Sequence, residues 1–231
     1  MNNLPLASFV CITFNRPELL NELLYCFLAQ DYENKELIII NDKSDIKYVY
    51  DDPKVIIYNL SERFISIGQK RNYSRNVVNG DFIFNTDDDD IYYSNHISRL
   101  LNYHLEHMEF DIIGNAIGYC SENNENIRTW KINVPFNGTS IKKEYFKKNY
   151  FPHYKSCGED VDFIKNAKIS LIDDGKSTFH YRWGLNITHV SSIMGIGAGT
   201  YDSIGYGAII GNIQTIKLNP MLFEKTKLYY K

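Results

Sequence analysis

The chain lacks any Cys-x-x-Cys pair: its four cysteines, Cys11, Cys26, Cys120 and Cys157, are scattered. That excludes a zinc-site pattern and a disulfide framework, and Cys11 and Cys26 sit in apolar runs, as small buried hydrophobes do. It also lacks a surplus of positive charge. Lys and Arg number 25 against 28 Asp and Glu, a formal net charge of −3, so the basic face that nucleic acid needs is not predicted. Local pairs such as Lys70-Arg71 and Lys142-Lys143 suit the phosphates of a small ligand instead. No apolar stretch approaches the roughly 20 residues of a membrane-spanning helix. Met1-Asn2-Asn3-Leu4-Pro5 shows no basic segment leading into an apolar one. The expectation is a protein without signal peptide or transmembrane segment, in a reduced cytoplasm.

What the 231 residues do contain is 44% hydrophobic and 14% aromatic side chains, enough for one sizeable α/β core. Residues 8–14, 37–40, 55–58 and 82–84 are short apolar runs readable as strands buried on both faces. After the first, Pro17 suits the opening turn of a helix in which Leu19, Leu20, Leu23, Leu24, Phe27 and Leu28 recur at helical spacing. Residues 68–78 also read as helix. Strand and helix therefore alternate, which predicts a parallel sheet with helices on both faces. The second half is mixed: a helix over 97–107, a strand over 112–119, a polar loop over 121–126 and a half-exposed strand over 128–134. Short helices follow over 142–149 and 159–168. Residues 193–211 are rich in glycine and show no period. No repeat or long linker divides the chain.

Each front strand ends in a residue suited to a ligand, and open α/β sheets bind ligands beyond the carboxyl ends of their strands. Phe14 offers a ring for a base, and Asp42 offers an acceptor for a base N–H or a ribose hydroxyl. Arg71, on the helix before the fourth strand, can reach a phosphate. That strand runs into Asn85-Thr86-Asp87-Asp88-Asp89-Asp90. Four successive carboxylates repel one another unless neutralised, and a hard divalent cation suits their oxygens. Singly, each residue has an ordinary role: Phe14 in the core, Asp42 in a turn, Arg71 in a surface ion pair, the acid run as a solvated turn. Their coincidence at successive ends of one sheet points to a site.

In these stretches the chain resembles family 2 of the GT-A glycosyltransferases. The resemblance rests on residues 8–15, the stretch from Gln30-Asp31-Tyr32 to Asp42-Lys43-Ser44-Asp45, Gly68-Gln69-Lys70-Arg71-Asn72, the acid run, and Gly158-Glu159-Asp160. It covers roughly residues 7–190. It implies an α/β GT-A fold with a Rossmann-like, mostly parallel central sheet, helices on both faces and a smaller mixed region on the acceptor side. The single domain 1–231 would divide into a nucleotide-sugar half (about 1–92), an acceptor and catalytic half (about 93–190) and a Gly-rich tail (191–231) serving as lid or oligomer contact, with a homodimer as one expected assembly. The implied reaction is inverting transfer from a nucleotide-diphospho-sugar, UDP-sugar favoured, to a hydroxyl acceptor on a glycan or polysaccharide precursor, with Mn²⁺ or Mg²⁺ as cofactor.

Carried over by position, Phe14 stacks on the base and Asp42 accepts a hydrogen bond from it. Arg71, Asp87 and Asp88 contact the donor, and Asp89 binds the metal, with the register of the run open by one residue. Asp160 is the implied general base, and Glu159 its alternative. His189 is implied as a further metal ligand, while Trp130 and Trp183 are candidate stacking rings for an acceptor. Two departures stand out: Asn41 precedes Asp42 where the commoner form has a second Asp, and Phe14 replaces a frequent Tyr. The competing expectations are a donor-sugar hydrolase and a GT-A module that binds without turnover. An NAD-type reading of Gly195-Ile196-Gly197-Ala198-Gly199 fails, because that loop lies far from the first strand.

Overall fold

Apolar side chains on both sides of a strand demand cover on both sides, and the front strands have it. The computed structural model describes residues 4–122, 124–132, 135–183 and 213–221. In chain order the front half runs β1 (Ala7–Thr13), α1 (Pro17–Leu28), β2 (Lys35–Asn41), β3 (Ile46–Val49), β4 (Val55–Asn59), α2 (Ile67–Val77) and β5 (Phe82–Asp87). There follow β6 (Ile91–Tyr92), α3 (His96–Glu106), β7 (Ile112–Asn115), β8 (Ile117–Glu122), β9 (Glu125–Lys131) and β10 (Ser140–Lys142). The described chain ends with α4 (Lys143–Lys148), α5 (Glu159–Ile164), β11 (Ile169–Ile172), β12 (Phe179–Trp183) and β13 (Gln214–Lys217).

Seven strands form the central sheet in the order β11-β7-β10-β5-β1-β2-β4. β5, β1, β2 and β4 are parallel neighbours, and only β10 runs against the rest. Phe9, Cys11, Leu37, Ile39, Phe82 and Phe84 point to one core, closed by Leu20, Leu23, Leu24 and Phe27 of α1 and by Ile97, Leu100 and Leu101 of α3. Val10, Ile38, Ile40 and Ile83 point to the other, closed by Phe146 of α4 and by Phe163 and Ile164 of α5, with Tyr73 and Val77 of α2 packed alongside. Side chains alternate across a strand, so each strand feeds both cores. A second sheet, β6-β12-β8-β9, is mixed, and β13 returns to pair in parallel with β3.

Several expected elements differ in extent. The strand expected over 112–119 breaks at Ala116, so that β7 joins the central sheet and β8 the second one. The stretch expected as a polar loop, 121–126, is largely the turn end of the β8–β9 hairpin; Asn124 sits there at φ 62, a left-handed conformation asparagine tolerates. The helix expected over 159–168 stops at Ile164, because the Lys168 carbonyl must accept from Asp111 N and Ile112 N as β11 begins. β3, β6, β10, β11, β12 and β13 carried no sequence signal strong enough to place them. Their pairing partners are distant in the chain.

Candidate functional site

The carboxyl ends of β1, β2 and β5 lie side by side, and two polar clusters grow from them. At the β2 end, Asp42 is 1% exposed. Its Oδ1 accepts from Lys70 Nζ, and its Oδ2 accepts from Phe64 N at 3.1 Å. Lys70 also donates to Thr13 O at 2.6 Å, so one buried ammonium ties β1 and β2 to α2. Burial pushes the Lys70 amine down, against the pull of Asp42. Phe14 is half-buried, with the Arg63 guanidinium 4.0 Å and Lys43 Nζ 5.8 Å from its ring centroid, so cations flank the expected base platform.

Asn41 explains one departure from the family pattern. It is fully buried, and its Nδ2 donates to Ile46 O at 2.7 Å and to Asn59 Oδ1 at 3.1 Å. Its Oδ1 accepts from Lys43 N at 3.1 Å. A carboxylate has no proton to give those two acceptors. Asparagine is the side chain this corner requires.

The second cluster is the acid run at the end of β5. Asn15, at φ 57, turns the chain sharply so that Arg16 faces the run. Thr13 Oγ1 donates to Asp88 Oδ2 at 2.6 Å, and Arg16 Nη1 donates to Asp88 Oδ1 at 2.8 Å and Asp89 Oδ2 at 3.2 Å. Asp87 accepts from Arg71 Nη2 at 3.2 Å and from Asn137 Nδ2, while its backbone N donates to Tyr92 Oη at 2.9 Å. Asp90 Oδ1 accepts from Arg182 N at 3.0 Å, and Asp90 Oδ2 is buried with no hydrogen-bond partner. Ligand oxygens of Asp87, Asp89 and Asp90 all lie within 4.8 Å of one another. Burial raises the carboxyl of Asp90 well above its ordinary range, and Asp89 and Asp87 add to the rise. Burial also raises Asp88, against the opposing pull of Arg16. Three convergent hard carboxylates, one of them carrying a buried oxygen without a hydrogen-bond partner, fit a divalent cation.

The run therefore divides by direction. Asp87, expected at the donor, converges with Asp89 and Asp90, whereas Asp88 turns toward Thr13 and Arg16. Arg71, also expected at the donor, is a buried bridge between Asp87 and Glu159, whose Oε1 accepts its Nε at 3.1 Å. Glu159 is 5% exposed, and burial raises its carboxyl against the Arg71 charge. Asp160, next along α5, is half-buried and close enough for its charge to act on both Arg71 and Glu159. The glycines of the two motifs have backbone reasons. A Cβ on Gly68 would lie 2.0 Å from Pro152 O, where the loop before α5 backs onto α2, and Gly158 enters α5 at φ 70, the left-handed region glycine favours.

The remaining expectations fare differently. Trp130 is half-buried, lies across Gly118 and packs on the first core beside Tyr181, 6.1 Å between ring centroids. Trp183 closes β12, and its side chain lies outside the described residues, as do His189 and most of the tail. Arg16, Thr13, Asn137 and Arg182 escaped the sequence reading, and Lys70 was read only as a phosphate contact. Thr13 and Arg16 lie within two residues of Phe14 and were legible by position. Asn137 and Arg182 arrive from strands and loops 50 to 93 residues from their partners, with no local signal.

The model of the family described as glycosyl transferase family 2 matches residues 8–176. An uncharacterized glycosyltransferase of Methanocaldococcus jannaschii is 27% identical over 157 residues, 64% of this chain and 54% of that protein. Another, of Rickettsia typhi, is 26% identical over 199 residues, 82% of this chain and 60% of that protein. The chain thus spans little more than half the length of these relatives. Among solved structures, S. aureus TarS 1–349 superposes with a TM-score of 0.61 at 18% identity, covering 77% of this chain and 60% of that one. The same TarS fragment in complex with UDP gives 0.62, and in complex with UDP-GlcNAc 0.60. This likeness establishes the expected GT-A architecture. No described helix is long and apolar enough to cross a membrane.

Proposed function

The chain belongs to glycosyl transferase family 2, and from that premise we propose that it transfers a sugar from a nucleotide-diphospho-sugar to a hydroxyl of a glycan or polysaccharide precursor, with inversion at the anomeric carbon. The observation that carries this reading is the convergence of Asp87, Asp89 and Asp90, the last with a buried oxygen that has no hydrogen-bond partner, at the same sheet edge as Asp42 and Phe14. UDP is the favoured nucleotide: uracil carries the N–H that a fixed carboxylate such as Asp42 accepts, and the structurally similar TarS has been solved with UDP and UDP-GlcNAc.

In this reading Asp42, steadied by Lys70, accepts from the base, and Phe14 stacks on it. Asp87, Asp89 and Asp90 would hold Mn²⁺ or Mg²⁺, which when bound supplies Lewis acidity toward the diphosphate leaving group. Asp160 takes the proton of the acceptor hydroxyl as that oxygen bonds to the anomeric carbon and the bond to the diphosphate oxygen breaks. Glu159 is already bound to Arg71, which favours Asp160 as the base.

Calorimetry with UDP- and GDP-sugars, with and without Mn²⁺, tests the reading. One nucleotide-sugar should bind in a metal-dependent manner, and Asp89→Ala should abolish that dependence along with transfer. Asp160→Asn should keep donor binding while kcat falls by about 10²–10⁴-fold. Indifference to every nucleotide-sugar would overturn the assignment. Diphosphate release independent of any acceptor would make the protein a donor hydrolase.

A further inference from the structure

Behind the acid run lies a buried network that the roles above leave unused. Arg182, on β12, is 0% exposed. Its Nε donates to the backbone carbonyl of Asp89 at 2.5 Å, its backbone N donates to Asp90 Oδ1 at 3.0 Å, and its Nη1 donates to Asn124 Oδ1 at 3.4 Å. Its Nη2 lies 2.7 Å from Oε2 of Glu22, a carboxylate in the middle of α1 that is 5% exposed. One side chain thus joins α1, the β8–β9 turn and the acid run, across sequence separations of 58 to 93 residues for its hydrogen bonds.

We propose that Arg182, braced by Glu22, is a positioning residue that sets the geometry of Asp89 and Asp90 for a divalent cation and the diphosphate it meets; this rests on the reading of the run as a cation site. The choice of atoms supports it. Arg16 and Arg71 pair with carboxylate oxygens of the run, and so spend part of its negative charge. Arg182 instead grips the Asp89 main chain and spends its own charge on Glu22. It therefore grips the run through main-chain contacts, with its charge paired to Glu22 and acting on Asp90 only across space. Its backbone N holds one oxygen of Asp90, a residue that converges with Asp87 and Asp89, and the other oxygen, Oδ2, is buried without a hydrogen-bond partner. Outer groups that orient metal-binding carboxylates typically matter by about 10–100-fold in metal affinity.

The test compares wild type, Arg182→Lys, Arg182→Met and the double variant Glu22→Met with Arg182→Met. Mn²⁺ affinity is read from the electron paramagnetic resonance of free Mn²⁺, and folding from thermal unfolding by circular dichroism. Arg182→Lys keeps a cation for Glu22 but loses the Nε–H to Asp89, and should unfold cooperatively while binding Mn²⁺ at least about 10-fold more weakly. The double variant replaces a buried ion pair with apolar side chains; it should regain the unfolding temperature that Arg182→Met loses without regaining Mn²⁺ affinity. A folded Arg182 variant that binds Mn²⁺ like wild type would overturn this inference alone. A wild type that binds no Mn²⁺ would overturn the cation reading and this inference with it.

Discussion

Asp42 and the acid run stand at the ends of β2 and β5, separated only by β1 in one sheet, yet their charges are balanced in opposite ways. At the β2 end a single carboxylate meets a single buried ammonium and a backbone N–H. That pair is satisfied by partners within the protein, though the Asp88 charge at the other end also acts on Lys70. At the β5 end, Asp87, Asp88, Asp89, Asp90, Glu22 and Glu159 are six carboxylates facing three guanidiniums, those of Arg16, Arg71 and Arg182. Burial accordingly raises the carboxyls of Asp88, Asp90, Glu22 and Glu159. The difference separates a carboxylate held in one place by its own partners from a run left with a surplus of negative charge.

The strongest way to break this comparison is Lys70→Met. It strands a buried Asp42 carboxylate, and losing one partner of a buried pair costs about 3–5 kcal/mol; urea unfolding should show that loss equally with and without Mn²⁺. Recovery on adding Mn²⁺ would show that the two ends are not electrically separate. Arg16→Met is the contrasting variant. It removes hydrogen bonds to two carboxylates, worth about 1.5–3 kcal/mol where a charged group is involved, and here Mn²⁺ should offset most of the loss because a cation replaces a cation. An Arg16→Met defect untouched by Mn²⁺ would make the acid end as closed as the other.

The smallest effect concerns His96, which packs under the run against Tyr92 and Phe84, with its Nδ1 2.7 Å from Thr178 Oγ1. Burial holds its imidazole down to about 3, so the folded protein keeps it neutral while the unfolded chain takes up a proton below about 6.5. Stability from this group is present above pH 6.5 and drains away as pH falls from there toward 3. At pH 5.5 the loss is about 1.4 kcal/mol. The raised carboxyls of Asp88 and Asp90 act with the opposite sign, favouring the fold as they protonate. A His96→Gln variant should therefore lose less stability than wild type between pH 7 and 5.5; equal losses would show that burial does not hold the His96 imidazole neutral.

Much of the fold was legible because β1, β2, β4 and β5 are continuous apolar runs, and burial on both faces leaves little choice but a covered parallel sheet. The C-terminal end of α5 and the β7–β8 break were not, since nothing local marks where a chain must leave a helix or one sheet for another. The candidate site divides the same way. Phe14, Asp42, Arg71 and the acid run stood out by position along the strands and helices, whereas Asp160 came only from the family resemblance. Their protein partners did not: Lys70 pairs with Asp42, and Arg71 bridges Asp87 to Glu159.

The sequence by itself determined the covered parallel sheet, the strand ends where polar groups gather and the acid run as their centre, because periodicity and like-charge adjacency are local properties of the chain. Only the tertiary structure decided which carboxylates converge and which turn away. Asp88 is drawn to Thr13 and Arg16 on one side, and Asp89 and Asp90 are held by Arg182 on the other, through partners 72 to 93 residues distant. Charge direction in a buried site is set by what folding brings against it, and four identical residues in a row carry no record of that.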